Sequence, residues 1–228
     1  MSNNYYKAYD ERYKTVHSQT GLAWAGDKPT TLLKDVFIKY NLDKDSKILE
    51  IGCGEGQNAI YLQQNGFNVL ASDVSQEAIN WCKQKASEQN LPQQNYFVLD
   101  ILDNDLEDKF DFIYSVSTLH MLVLDEHRKQ FFDFIHSHLN DNGKALITVM
   151  GDGEFERNTS DITKAFDLEK RDFANGQTIE VAGTTCRIVN WDTLTQEVNN
   201  SNLKVIESFV SEQISGFNQS MVIVVSKR

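Results

Sequence analysis

Cysteine is scarce in this 228-residue chain: Cys53, Cys82 and Cys186 are odd in number and form no C-x-x-C pair. That composition argues against a disulfide framework and gives no support to a structural zinc site. A reducing, cytoplasmic compartment is the expectation. Positive charge is also in deficit, with 22 Lys and Arg against 33 Asp and Glu, a formal net charge of −11. A chain this acidic is poorly suited to gripping nucleic acid through its phosphates or to docking on an anionic membrane. Apolar runs long enough to span a bilayer are missing. The opening residues, Met1 to Lys14, lack the apolar stretch of a signal peptide. Internal repeats, low-complexity linkers and a convincing set of metal ligands are absent too, so no metal is expected.

What the chain does have is a regular alternation of strand and helix signals. Apolar residues at Leu32, Leu33, Val36, Phe37 and Tyr40 give a helical stripe over Thr30–Leu42. Strands are expected at 47–51, 68–72, 96–99, 110–115 and 144–150. Helices fall between them: 57–65, one capped by Ser75 with Ala78, Cys82 and Ala86 on one face, and 125–139. Asn142-Gly143 reads as the turn into the fifth strand. Such alternation implies a parallel sheet with helices on both faces. The last third breaks the rhythm. Residues 151–190 form a polar insertion with two strand-like runs, 178–182 and 185–189, around Gly183; 192–200 looks helical; 203–210 and 221–226 read as an antiparallel strand pair. The expected fold is α/β, a Rossmann-like doubly wound sheet of seven strands, mostly parallel, with an antiparallel C-terminal strand. The whole chain reads as a single domain. An aromatic-rich N-terminal segment, 1–29, precedes a core at 30–150, the insertion, and a C-terminal helix and strand pair at 191–228.

The most informative stretch is Ile48-Leu49-Glu50-Ile51-Gly52-Cys53-Gly54-Glu55-Gly56. An apolar strand ends beside an acid and enters a turn with alternate glycines, and a helix follows. Glycines let the backbone approach a ligand where a Cβ would collide. The helix start offers free N–H groups and a positive dipole end. This is the pattern of a nucleotide-cofactor cradle in an open α/β sheet. Three acids stand at or near carboxyl ends of strands: Glu50, Asp73 and Asp100. A carboxylate at the end of the second strand is placed to take both ribose hydroxyls, and one a strand further out to accept from an adenine amine. A dinucleotide-binding oxidoreductase, using NAD(P), is the rival reading. Its Gly-x-Gly-x-x-Gly fingerprint, counted from Gly52, puts the third glycine at position 57, which is Gln57.

The glycine loop, Asp73, Leu99-Asp100-Ile101 and Phe110-Asp111-Phe112-Ile113-Tyr114-Ser115 together resemble the class I S-adenosylmethionine-dependent methyltransferases. The resemblance covers about residues 30–150 and the C-terminal strand pair. It implies S-adenosyl-L-methionine as cofactor, held by Glu50, Gly52, Cys53, Gly54, Gly56, Asp73, Val74, Asp100, Ile101, Ser115 and Val116. Within that set the glycine loop would lie against the methionine part, Asp73 would bind the ribose diol, and Asp100 with Ile101 would hold the adenine. The segment Trp24-Ala25-Gly26-Asp27-Lys28-Pro29 is similar to a stretch of small-molecule methyltransferases of the thiopurine and tellurite-resistance type. That similarity implies that Trp24 lies over the cofactor.

His120, in Ser117-Thr118-Leu119-His120-Met121, is the candidate general base, against the plainer reading of a packed histidine. His17 reaches the site only if the N-terminal segment folds over it; His127, His136 and His138 read as surface or edge residues. Tyr5, Tyr6, Tyr9, Tyr13 and Trp24 suit either an aromatic lid favouring a planar or cationic acceptor, or simple docking of the segment on the core. The Asn/Asp-Pro-Pro-Tyr/Phe motif of nucleic-acid amino-methylating enzymes is missing, with Ser115-Val116-Ser117-Thr118 near its place. The expected acceptor is a small molecule, with neither nucleic acid nor membrane as partner. A non-catalytic S-adenosylmethionine-binding protein is the remaining alternative.

Overall fold

The computed structural model describes residues 4–26, 28–158, 161–173 and 175–228. Asp27 of the tryptophan segment, and Thr159, Ser160 and Ala174 of the insertion, lie outside the described residues. The helices are α1 (Ala8–Thr20), α2 (Leu32–Lys39), α3 (Gln57–Gln64), α4 (Gln76–Glu88), α5 (Asp125–His138) and α6 (Trp191–Asn199). The strands are β1 (Ile48–Ile51), β2 (Val69–Asp73), β3 (Tyr96–Val98), β4 (Phe110–Val116), β5 (Leu139–Met150), β6 (Arg157–Asn158), β7 (Leu168–Asp172), β8 (Thr178–Ala182), β9 (Arg187–Ile188), β10 (Leu203–Ser211) and β11 (Ser220–Lys227).

Seven strands form one sheet in the order β10-β11-β5-β4-β1-β2-β3. The pairs β1–β2, β2–β3, β1–β4 and β4–β5 are parallel. Only β11 runs the other way, antiparallel to both β5 and β10. From β1 the chain winds outward through β2 and β3, then crosses back to β4 on β1's other side. The crevice between β1 and β4 is therefore the topological switch point, where open α/β sheets bind ligands at their carboxyl ends.

Strand alternation assigns the two faces. Leu49, Ile51 and Ile113 pack with Phe131, Ile135 and Leu194 from α5 and α6. Ile48, Phe112 and Tyr114 pack with Phe37, Leu62 and Ile79 from α2, α3 and α4. Both faces are sealed, so the long apolar runs of β4, β5 and β11 need no solvent side. Ser75 caps α4 through its hydroxyl, which accepts from Ala78 N–H at 3.0 Å.

Three boundaries differ from the sequence reading. The N-terminal segment contains a full helix, α1, whose buried residues are Ala8, Arg12, Tyr13 and Val16. Two of those four are polar or amphipathic, so no apolar stripe announces the helix. Strand β5 begins at Leu139 rather than after Asn142-Gly143, and its register against β4 shifts between Phe110 and Phe112. Gly143 sits where a Cβ would lie 2.9 Å from the Phe110 carbonyl oxygen, so it serves a close backbone approach rather than a turn. In the insertion the two runs flanking Gly183 pair elsewhere: β8 with β7, and β9 with β6.

Candidate active site

A cavity of about 530 Å³ opens over the carboxyl ends of β1, β2 and β4. Its floor is the glycine loop and the strand ends. Its roof is α1, the Trp24 segment and part of the β7–β8 ribbon. Of the residues marked in the sequence, Trp24, Gly52, Cys53, Gly54, Asp73, Val74, Asp100, Ile101 and Val116 line it. Glu50, Gly56, Ser115 and His120 are not among the lining residues.

The reasons are geometric. Glu50 shares its strand face with Ile48, toward α3, and is 1% exposed. It accepts from Asn58 Nδ2 at 3.2 Å and from the Tyr114 hydroxyl at 3.0 Å. Burial pushes its pKa up to about 8, against the opposing pull of those two donors. Glu50 is thus a buried brace tying β1 to β4 and α3. Ser115 is fully buried and donates to the Ile51 carbonyl at 2.9 Å, stitching β4 to β1. Gly56 has φ +85° at the start of α3, and a Cβ there would lie 2.8 Å from Cys82 Sγ. It permits α3 and α4 to approach rather than a ligand to enter.

His120 is fully buried and packs edge-on against Phe217 at 5.6 Å. Its Nδ1 accepts from Met150 N–H at 3.4 Å, and its Nε2 has no hydrogen-bond partner among the described residues. Burial, with Arg128 nearby, pushes its pKa down to about 4. It packs behind the cavity wall and does not line the cavity, so its position favours the plainer reading of a packed histidine over a general base.

Asp73 closes β2 and is 8% exposed. Its Oδ2 accepts from Gly54 N–H at 2.8 Å and its Oδ1 from Ser75 N–H at 2.9 Å. Burial pushes its pKa up to about 6, partly offset by those two amides. Asp100 sits one strand out, accepting from the Tyr6 hydroxyl at 3.0 Å and pairing with Lys7 at 2.8 Å. Gly54 has φ +54°, and a Cβ there would lie 3.0 Å from the Tyr13 hydroxyl. Cys53 is 5% exposed, and contact with Cys82 together with burial pushes its thiol pKa up, so it is not a poised nucleophile.

The aromatic residues divide between the two roles expected of them. Tyr6, Tyr9, Tyr13 and Trp24 line the cavity. Tyr5 docks: its hydroxyl accepts from Val123 N–H at 2.8 Å and its ring stacks on His127 at 5.5 Å. His127 and His138 are buried rather than at the surface.

Four residues that the sequence reading passed over hold the roof in place. Glu55 is 2% exposed and accepts from Trp24 N–H at 2.6 Å and Ala25 N–H at 3.0 Å. Asp10 accepts from Ser75 Oγ at 2.7 Å and Glu77 N–H at 3.0 Å, tying α1 to the first turn of α4. Arg12 lies in the cavity wall beside Trp24. Phe217, from the β10–β11 connection, supplies a further wall. None of these has a sequence signature, because each role depends on which distant segment lands opposite.

His17 is neither exposed nor in the cavity. It bridges Glu55 at 2.8 Å and Glu77 at 2.9 Å, and its ring stacks on Trp81 at 4.0 Å. Burial opposes its charge, but the two carboxylates prevail and its pKa lies above the ordinary 6.5. The folded value is raised, so this contribution to stability is full below 6.5 and is lost as pH rises through the folded value. The expected result is a rise in Trp81 fluorescence on that alkaline limb, absent in His17→Gln. A midpoint below 6.5 would contradict the bridge.

Among the described residues no group of three or more His, Cys, Asp or Glu is placed to hold a metal. No described helix is long and apolar enough to cross a membrane.

A glycine loop at the switch point, acids closing β2 and β3, and a lone antiparallel strand beside β5 define the class I methyltransferase architecture. Residues 24–208 match the family model described as a methyltransferase domain. The chain belongs to that family, the S-adenosylmethionine-dependent methyltransferases. A probable S-adenosyl-L-methionine-dependent methyltransferase TehB from Haemophilus influenzae is 28% identical over 121 residues, 53% of this chain and 41% of that protein. The matched segment therefore spans less than half of that relative. Among solved structures, a TehB-like methyltransferase from Corynebacterium glutamicum aligns with a TM-score of 0.59 at 18% identity, covering 100% of both chains. The 1,6-didemethyltoxoflavin-N1-methyltransferase of Burkholderia thailandensis, solved with its substrate and S-adenosylhomocysteine, aligns with a TM-score of 0.70. It is 15% identical, covering 100% of this chain and 90% of that one. At these identities the structural likeness establishes the fold alone.

Proposed function

We propose that the protein transfers the methyl group of S-adenosyl-L-methionine to a small-molecule acceptor held inside the roofed cavity. One observation carries the reading: the floor bears the cofactor-binding features, and α1 and the β7–β8 ribbon cover the opposite side. That cover favours an acceptor small enough to enter beneath it. The Burkholderia enzyme of similar fold, solved with bound 1,6-didemethyltoxoflavin and S-adenosylhomocysteine, is one precedent for such an acceptor.

The residues present fit the cofactor. Gly52 and Gly54 line the cavity with φ +71° and +54°, so the loop presents its backbone there, and a Cβ would instead press on Thr118 and Tyr13. Asp73 retains a second lone pair on each oxygen for ribose hydroxyls. Asp100, with Ile101 and Leu99, forms the wall assigned to the adenine. When bound, the cofactor supplies an electrophilic methyl on a sulfonium, whose leaving group departs neutral.

The chain's own contribution is alignment and exclusion of water. Tyr9, Tyr13, Trp24 and Phe217 form the apolar wall that orients a flat acceptor. General-base chemistry is not assigned to His120. The reading is tested by calorimetry of S-adenosylmethionine, S-adenosylhomocysteine and NADH. Micromolar binding of the first two and none of NADH is expected. A response to NADH alone would overturn it.

A further inference from the structure

Arg12 is 1% exposed, yet no acid among the described residues forms an ion pair with it. Its Nε donates to the Ala182 carbonyl at 2.8 Å, and Nη2 donates to the same oxygen. Nη1 makes no hydrogen bond among the described residues. The guanidinium lies over the Trp24 ring at 4.5 Å and near the Tyr9 ring at 5.5 Å. All three residues line the cavity.

A staple for β8 would not need this side chain. One carbonyl shared by two donors leaves most of the guanidinium's hydrogens unused. Burying an unpaired cation is costly, and the usual resolution is a carboxylate partner. Among the described residues the acids lining the cavity do not supply one, and Glu169 on β7 acts on Arg12 without forming an ion pair. Asp73 is engaged by two backbone amides, and Asp100 by Tyr6 and Lys7. Arg171, on β7 of the ribbon, lines the same cavity and adds a second positive charge; its partner, Glu169, lies 2.9 Å away at the exposed surface. Two arginines thus face one aromatic-walled space in a chain whose net charge is −11.

Position separates this cluster from the cofactor floor. Arg12 is anchored to β8 and Arg171 lies on β7, whereas the glycine loop, Asp73 and Asp100 sit on the sheet's carboxyl ends. One face of Trp24 is already covered by Arg12, which leaves a cationic acceptor less of a cation–π platform there and places a positive charge beside it. The expectation of a planar or cationic acceptor narrows accordingly.

We propose that Arg12, assisted by Arg171, forms a carboxylate-binding subsite that selects a flat acceptor carrying an acidic group. This rests on the methyltransferase reading and names the acceptor class for that same cavity. Arg presents a planar fork that takes a carboxylate bidentately, and stacking on Trp24 fixes its plane.

The test uses protein saturated with S-adenosylhomocysteine and three aromatic acids, 4-hydroxybenzoate, nicotinate and indole-3-acetate, each beside its carboxamide. Binding is read by calorimetry or saturation-transfer NMR. At least one acid is expected to bind about tenfold or more tightly than its amide. Arg12→Met should bring that ratio to about one while lowering S-adenosylhomocysteine affinity by no more than about threefold. Arg171→Gln, at an exposed position, should lower it about threefold and guards against misfolding of the first variant. Failure of every acid to bind preferentially overturns the subsite. Loss of S-adenosylhomocysteine affinity in Arg12→Met, with the acid preference intact, also overturns it by giving the guanidinium to the cofactor's own carboxylate. Failure of wild-type protein to bind S-adenosylhomocysteine would instead indict the methyltransferase reading.

Discussion

Asp73→Ala is expected to lower S-adenosylhomocysteine affinity by on the order of 100-fold or more, the cost of losing two hydrogen bonds to a carboxylate. The residue closes β2 beside the switch point and is held by Gly54 and Ser75 N–H groups at 2.8 and 2.9 Å. Those amides fix the carboxylate's plane, and its outward lone pairs face the cavity. Asp73→Asn keeps one acceptor oxygen and should fall between the two, roughly tenfold below wild type. Calorimetry with S-adenosylhomocysteine measures all three. Affinity of Asp73→Ala within threefold of wild type would remove the ribose role.

The same residue predicts a pH dependence. Burial lifts its folded pKa to about 6, above the ordinary 3.8. For an acid shifted upward, the contribution to folding stability is present below 3.8 and is lost as pH rises through about 6. Ligand binding has the opposite sign, because the ionised form accepts the hydroxyls. Affinity should therefore climb with pH up to about 6 and then level off. Asp10 and Glu55 add to the upward push, so the midpoint belongs to this acidic neighbourhood as a whole.

Sequence legibility followed the physics of each segment. The sheet and its order of helices could be read because both faces are buried, so apolar runs mark the central strands and a cap residue marks the start of α4. The glycine loop and Asp73 were legible because conformational need and strand-end position converge on particular residue types. Glu50 illustrates where such reasoning fails. It precedes the loop in sequence, but strand alternation turns its side chain toward α3 rather than the cavity. His120 fails for a related reason: being near the end of β4 says nothing about which way the following turn points. Helix α1 escaped because its buried face is built from Arg12 and Tyr13 as much as from Ala8 and Val16. The roof contacts of Glu55, Asp10 and Arg12 are long-range pairings, and no local pattern encodes them.

Gly52→Ala should be the most damaging single methyl in the glycine loop, lowering stability by about 2–4 kcal/mol and abolishing measurable S-adenosylhomocysteine binding. Two penalties combine. The backbone stands at φ +71°, where a non-glycine residue pays about 1–2 kcal/mol. The new Cβ would also lie 2.5 Å from Thr118 Cγ2 and 2.9 Å from Thr118 Cβ, with Oγ1 closer still. Thr118 cannot simply rotate away, because its hydroxyl lies 3.3 Å from both the Gly52 and Val116 carbonyls. The turn after β4 must therefore shift, and Val116, Ser117 and Thr118 of that turn line the cavity. Thr118→Ala in the same chain removes the two nearer contacts and should restore about half of the lost stability. Gly66→Ala is the control: its φ is +87°, but nothing lies within 4 Å of the added Cβ. It should cost about 1 kcal/mol and leave binding untouched. Urea titrations and calorimetry on the four proteins separate the backbone cost from the steric one. Equal losses in Gly52→Ala and Gly66→Ala, with affinity retained in both, would mean that the contact between the glycine loop and Thr118 does not shape the site.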